Sequence, residues 1–487
     1  MKQVAEPKVQ KVQVEEYKIY VGGKFIETAS EIEVKNPFTQ KVFAKTFLAG
    51  KNELEIAIAQ AECAREEMKI LPSYKRYEIL RQISDEIKLD STRLALVLCR
   101  ESGKPMRYAL TEIDRAVQTF LIAAEESKRL PGEYLSLDWT ASGENKEGIV
   151  KYFPIGLVAG ISPFNFPLNL AAHKIAPAIA SGCPIILKPA SSTPLSTLEL
   201  AKIIDKTILP KGAISIMPMN REDGNALVSE ERFNLLSFTG SALVGWKMKK
   251  NAGKKKVVLE LGGNAGVIIA ESANIYDAVE KCLVSAFAYS GQICIKAQRL
   301  FVEEKIFDSF IEKFIDGIRK MKYGNPEDQT TDISNMIDEE NAKRVEEWVN
   351  EAVQEGAKML TGGKRNGSYY EPTVLINTKA IMKVNAQEIF GPVVTIEKYS
   401  NFKKAVEMLN NTSYGLQAGI FTNQFDEINY AFNNTNVGGV IINDAPTLRL
   451  DQMPYGGNKD SGLGREGVKY AIRDMMEARI LVTNFRK

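Results

Sequence analysis

Residues 257–269 read VVLELGGNAGVII, and residues 290–302 read SGQICIKAQRLFV. The first stretch is an apolar run ending near a carboxylate, Glu260, followed by Gly262-Gly263 and a second apolar run. Short aliphatic, β-branched runs broken by glycine predict buried strands rather than helices. The second stretch sets Cys294 shortly after Gly291 and just before another apolar run, which predicts a tight turn presenting a thiol.

Working upstream, apolar runs recur at 155–161 (IGLVAGI), 184–188 (PIILK), 213–217 (AISIM) and 234–238 (NLLSF). Helical segments with Pro, Ser or Thr near their starts separate them, at 167–181, 194–206, 221–229 and 241–251. Strands alternating with helices in this way predict a parallel, doubly wound sheet. Downstream the alternation continues through 266–270, 298–303, 392–398, 416–421 and 438–443, a second α/β unit. Residues 51–128 carry helical spacing, as in Leu54, Ile58, Ala61 and Ala64, or Ile79, Ile83 and Ile87. Segment 130–152 has strand-like ends around a polar middle and reads as a projecting hairpin. The tail, 479–487 (RILVTNFRK), is a strand that must pair with something, by docking or by subunit exchange.

Composition removes several classes. The 487 residues carry 63 basic and 61 acidic side chains, net +2, so no basic face points to nucleic acid. Lys254-Lys255-Lys256 reads as a solvated turn. Five scattered cysteines and no C-x-x-C pair fit a reducing, cytoplasmic setting without disulfides. Cys63 and Cys99 fall within predicted helices and read as small buried hydrophobes. With a single histidine, His173, no metal site is expected. The charged N-terminal arm is unlike a signal peptide. No charge falls between Lys151 and His173, yet Pro154, Pro163 and Pro167 break that span, so no membrane helix is expected.

In such sheets ligands bind beyond the carboxyl ends of the strands. Ser162-Pro163-Phe164-Asn165, Lys188 to Ser192, and Thr239-Gly240-Ser241 all fall there. Gly240-Ser241 opens a helix whose N-terminus suits a phosphate, although G-x-G-x-x-G is absent. Asn165, inside PFNFP, suits an amide donor to a developing oxyanion or a brace for its loop. Cys294 becomes nucleophilic if its pKa is lowered, and is otherwise a structural thiol. Glu260 is a general base or a strand-end carboxylate that holds amides.

Jointly, PFNFP (163–167), LKPASSTP (187–194), FTGSALVG (238–245), LELGGN (259–264), GQICIKAQR (291–299), EIFGPV (388–393) and PYGGNKDSGLGREG (454–467) resemble the aldehyde dehydrogenase signatures in order. The resemblance implies an α/β fold of two parallel-sheet domains plus a β-hairpin oligomerisation element. Its coenzyme domain, an atypical Rossmann unit, would be 1–128 with 151–260, its catalytic domain 261–462, and its oligomerisation element 129–150 with 477–487. It implies an NAD(P)-dependent oxidoreductase that turns a small aldehyde into its acid through a Cys294 thiohemiacetal and thioester. Glu260 would be the general base, Asn165 with the Cys294 N–H the oxyanion hole, and Lys174 a proton relay.

Coenzyme contacts would come from Ile161, Ser162, Pro163, Phe164, Lys188, Ser191, Gly224, Thr239, Gly240, Ser241, Leu261, Glu388 and Phe390. Substrate would meet Arg115, Asn169, His173, Ile293, Ile295 and Arg449. Members restricted to NAD commonly carry a glutamate three residues after the lysine at 188; Ser191 stands there, which implies that NADP is accepted and preferred over NAD. AAHKIAP, INDAPTLRLDQMPYGG and EIDRAVQTF look closest to lactaldehyde and glyceraldehyde dehydrogenases. Ile293, where relatives for phosphorylated aldehydes carry arginine, favours a small neutral hydroxyaldehyde. Glyceraldehyde 3-phosphate or succinate semialdehyde is the alternative, as are a coenzyme A-acylating enzyme, a thiol esterase and a catalytically silent binding protein. Partners would be the aldehyde and further copies of the chain, as homodimer or homotetramer, with no nucleic acid and no membrane.

Overall fold

The structure is a computed structural model that describes residues 14–485. Most of the N-terminal arm (1–13) and the last two residues of the tail lie outside the described residues.

Five parallel strands form the centre of the first sheet: Val158–Ile161, Ile185–Lys188, Ile214–Ile216, Leu235–Thr239 and Lys256–Glu260. Val158–Ile161 sits between Ile185–Lys188 on one side and Leu235–Thr239 on the other. In chain order the five therefore run 3-2-1-4-5, the doubly wound arrangement, with the switch point beside the first strand. Helices cover both faces, which is why these strands read as unbroken apolar runs. The helix Pro167–Ser181 is buried on every side, packed against Ser73–Leu89 and Met106–Ser127, so it reads as apolar all round. Its span matches the expected 167–181, as Arg221–Ser229 matches 221–229.

The second sheet holds six parallel strands with Ala265–Ile269 and Ala297–Glu303 at its middle. Two of its members, Thr373–Ile376 and antiparallel Lys358–Thr361, have no counterpart among the predicted strands. Their apolar runs, Met359-Leu360 and Val374–Ile376, are shorter than the stretches that mark the predicted strands. Gly462–Leu463 crosses back to pair antiparallel with Lys256–Glu260, so the segment assigned to the catalytic unit reaches into the first sheet.

Gly132–Ser136 pairs with Lys146–Pro154 as the expected hairpin, and Met476–Asn484 adds to its other edge over nine residue pairs. The tail strand thus docks on its own chain. Ile480, Leu481, Val482 and Tyr134 remain exposed on this sheet, and Trp139 on the turn that follows Gly132–Ser136. No helix among the described residues is long and apolar enough to cross a membrane.

Candidate active site

Where the carboxyl ends of the first sheet's parallel strands meet the amino ends of Ala265–Ile269, Ala297–Glu303 and Val393–Tyr399 of the second, there is a cavity of about 730 Å³, a size that suits a small-molecule site. Cys294, Glu260, Asn165, Ile293, Ile295, Arg115 and Arg449 line it, with Pro163, Phe164, Thr239, Gly240, Ser241, Leu261, Glu388 and Phe390.

Cys294 reaches the cavity by an unusual backbone. Tyr289, Ser290 and Gly291 follow one another in the left-handed region, at φ 48°, 54° and 69°. For Tyr and Ser that conformation is strained and persists only when surroundings fix it. Here the Tyr289 hydroxyl donates to the Ser102 carbonyl at 3.0 Å, Ser290 Oγ donates to Ser334 O at 2.6 Å, and Gln292 Oε1 accepts from Ile337 N at 3.0 Å. A Cβ on Gly291 would lie 2.3 Å from the Gly391 carbonyl oxygen. The glycines beside Glu260 have a similar reason. A Cβ on Gly263 would meet the Cys294 carbonyl oxygen at 2.2 Å, and one on Gly262 the Glu388 carboxylate at 2.1 Å.

The thiol is not poised as a thiolate. Burial pushes Cys294 up to about 11, against the hydrogen bond to the Tyr455 hydroxyl at 3.2 Å. Alkylation of Cys294 by iodoacetamide, followed on its peptide by mass spectrometry in the protein without coenzyme, should accelerate about tenfold per pH unit from 7 towards 10. A plateau near pH 8 would contradict the burial.

Glu260 is buried. Its Oε1 accepts from Glu466 N at 3.2 Å and its Oε2 has no partner. Burial first, and the Glu466 carboxylate second, raise its pKa well above the ordinary carboxylate range. Glu466 keeps its charge: Arg449 pairs with it at 2.5 Å, and Lys174 adds to the positive field that overcomes burial. Two facing carboxylates are thus driven apart, one ionised and one ready to exchange a proton. Lys174 does not line the cavity. Its Nζ, lowered by burial, donates to Ser237 Oγ at 3.1 Å and Thr239 Oγ1 at 2.8 Å and lies 3.9 Å from Glu466.

Asn165 Nδ2 donates to the Gln292 carbonyl at 3.0 Å, leaving its second amide hydrogen over. The Cys294 backbone N–H makes no hydrogen bond among the described residues. Both are fit to hold an oxygen that gains charge beside Sγ.

On the far side of the sulfur, Arg115 pairs with Asp451 at 2.7 Å and Arg449 stacks 3.7 Å over the Tyr455 ring. Two expected wall residues lie elsewhere. Asn169 and His173 do not line the cavity; four residues apart on the fully buried helix, they face Thr119 of Met106–Ser127 at 3.2 and 3.4 Å. His173 Nε2 lies 2.8 Å from Asp451 Oδ1, so it acts behind Arg115 rather than on the cavity, and burial holds its pKa low.

The remaining expected coenzyme residues follow the same sheet edge beyond the cavity. Ile161 registers with Lys188, whose stem covers Gly224 so closely that a Cβ there would meet Cε at 2.9 Å. Burial lowers the Lys188 ammonium with no carboxylate to offset it. Ser191 Oγ donates to Met219 O at 3.2 Å, and Ser162 Oγ is buried without a partner. The helix Ala242–Asn251 aims its uncapped N-terminus at the cavity, since Ser241 makes no side-chain cap. An orphan hydroxyl, open helix N–H groups, an ammonium with no carboxylate partner and Glu388 beside them fit a dinucleotide with its diphosphate at the helix end. Burial pushes Glu388 up to about 7 while it accepts from Gly263 N at 2.9 Å.

Tyr455, Glu466, Asp451, Lys104 and Glu112 were not singled out in the sequence. Tyr455 and Glu466 lie inside PYGGNKDSGLGREG, where nothing local separates them from loop residues.

The model of the aldehyde dehydrogenase family matches residues 25–481. The chain is 41% identical to a 3-sulfolactaldehyde dehydrogenase of Priestia aryabhattai over 97% of this chain and 99% of that protein. It is 41% identical to a lactaldehyde dehydrogenase of Methanococcus aeolicus over 96% of this chain and 100% of that protein. Among solved structures it is similar to aldehyde dehydrogenase 21 from Physcomitrella patens in complex with the reaction product succinate. The TM-score is 0.95 and the identity 47%, over 97% of this chain and 99% of that one. It is also similar to the glyceraldehyde-3-phosphate dehydrogenase GapN from Methanocaldococcus jannaschii complexed with NADP. Here the TM-score is 0.89 and the identity 38%, over 93% of this chain and 99% of that one.

Proposed function

Since this chain belongs to the aldehyde dehydrogenase family, whose reaction is the oxidation of an aldehyde to its acid, we propose that its substrate is a short aldehyde with an anionic far end, gripped by Arg115. The observation that carries this is the presence of Arg115 and Arg449 in the same cavity as Cys294. Asp451 takes the Nε and Nη2 edge of Arg115, leaving Nη1 for a carboxylate, sulfonate or phosphate. Relatives that bear succinate or are named for sulfolactaldehyde support an anion of this size. A neutral hydroxyaldehyde such as lactaldehyde is the second reading, favoured by Ile293 before the thiol and by the ion pairing of both arginines. Arg115→Leu should raise KM for succinate semialdehyde about tenfold to hundredfold while changing KM for propanal less than about threefold. Equal changes for both aldehydes would refute the anion site.

The Cys294 thiol gives up its proton to solvent, its Sγ adds to the carbonyl carbon, and the new oxyanion is received by the spare Asn165 amide hydrogen and the Cys294 N–H. The Tyr455 hydroxyl is the sulfur's hydrogen-bond partner. Bound NAD or NADP, as family members carry, supplies the oxidant that accepts a hydride. Glu260, with a free oxygen and a raised pKa, takes the proton from a water that attacks the Cys294 thioester. Lys174 and Glu466 lie where that proton can pass on.

Lys188, Gly224, Ser191 and Ser162 would hold the adenosine end, Thr239, Gly240 and Ser241 the diphosphate, and Glu388, Phe390, Leu261 and Phe164 the nicotinamide side. We read NADP as preferred: Lys188 has no carboxylate beside it and the small Ser191 is uncharged. A carboxylate placed next to a 2′-phosphate repels it. Ser191→Glu should therefore lower kcat/KM with NADP at least tenfold and leave NAD within about threefold. A wild-type preference for NAD would overturn the assignment.

The exposed apolar row on the Met476–Asn484 sheet supports self-association as a homodimer or homotetramer. Five free cysteines support a cytoplasmic setting.

A further inference from the structure

We propose that the buried ion pair Lys104–Glu112 positions Asn165, fixing its amide against the Cys294 turn. This rests on the reading of Asn165 as the oxyanion donor. Lys104 lies between the helices Ser91–Ser102 and Met106–Ser127, and Glu112 on the second of them. Both side chains are fully buried and touch through Nζ and Oε2.

Each partner also grips the Asn165 loop. Lys104 Nζ donates to the Asn165 carbonyl at 2.7 Å. Glu112 Oε1 accepts from Leu168 N at 3.0 Å and Asn169 N at 3.1 Å, the first turn of the helix that follows. That helix has no cap of its own, because Phe166 stands at its N-cap. One ion pair therefore ties the loop at Asn165 and again three residues on. The ammonium also lies 3.9 Å from the Phe166 ring and 4.7 Å from the Tyr289 ring. Tyr289 begins the left-handed turn that delivers Cys294. Lys104 thus touches both loops whose spacing sets the distance from amide donor to sulfur.

A buried pair of this kind is a poor stabiliser, since apolar residues of similar volume often do as well. What it adds is direction: a fixed donor to one carbonyl and a fixed acceptor for two amides. Misplacing a reacting group by about 1 Å can lose about a hundredfold in rate.

The test is a double-mutant cycle. Lys104→Met is made alone and with Asn165→Ala, and kcat and KM are measured at saturating coenzyme beside the alkylation rate of Cys294 without coenzyme. A positioning role lowers kcat at least about tenfold with KM within about twofold in the wild-type background, yet changes kcat less than about twofold once Asn165 is alanine. Equal losses in both backgrounds overturn it, because a merely structural pair acts regardless of the amide. Should Lys104→Met not fold, Glu112→Gln keeps shape and an acceptor oxygen and must show the same background dependence. Asn165→Ala with undiminished kcat would sink the oxyanion assignment and this proposal together; equal losses in both backgrounds would sink the proposal alone.

Discussion

Cys294→Ala should abolish aldehyde oxidation, with kcat/KM reduced by about 10⁴-fold or more, while coenzyme affinity stays within about threefold. The size follows from chemistry. No other cysteine lines the cavity, and no other residue there can form and release a carbon–sulfur bond. The folded state loses little, since the side chain is partly exposed to the cavity and alanine fits the same turn. The measurement is absorbance at 340 nm with each coenzyme, paired with coenzyme binding by fluorescence titration. Residual oxidation within a hundredfold of wild type would move the nucleophile elsewhere and leave the fold untouched.

Glu260→Gln should lower kcat by about 10² to 10⁴ and cause the acyl group to accumulate on Cys294. Glutamine keeps the hydrogen bond from Glu466 N to its side-chain oxygen, so the fold is spared, but it cannot accept water's proton. Mass spectrometry of the quenched variant should find one acyl adduct per chain on the Cys294 peptide, absent from wild type. Loss of activity without an adduct would mean that Glu260 serves the first step, by taking the thiol's proton, and not release. The wild-type pH profile bears on the same point. Because burial and Glu466 hold the Glu260 carboxyl above its ordinary range, kcat should fall with decreasing pH well before ordinary carboxylates protonate, and recover on the alkaline side.

Much of the fold can be read in the sequence because its strands are parallel and covered on both faces. Such strands show as continuous apolar runs, and the five at the centre of the first sheet lie where those runs fall. Thr373–Ile376 escaped because its apolar run, Val374–Ile376, is shorter than the stretches that mark the predicted strands. The site is legible where chemistry coincides with a strand end or a glycine, as at Glu260, Asn165 and Cys294. It is illegible where function depends on distance in space. Glu466 is 206 residues from Glu260, and Asp451 is 336 from Arg115. His173 shows the converse. Its place in the chain suggested a wall residue, but a helix buried on all sides turns that position inward. The state of the thiol was equally out of reach, since burial, not sequence neighbours, sets it near 11.

The left-handed run Tyr289-Ser290-Gly291 has a bearing on engineering. Two non-glycine residues there each store about 1–3 kcal/mol of conformational energy. Against a total stability of about 5–15 kcal/mol, that is a sizeable reserve spent on aiming one sulfur. Glycine at 289 would empty the space of a fully buried tyrosine and lose its hydrogen bond to Ser102, so screens that reward heat tolerance will find relief only at 290, and should surrender turnover as they do so. Libraries meant to change substrate are better confined to Ile293, Ile295 and Arg115, whose side chains face the cavity without carrying the strain.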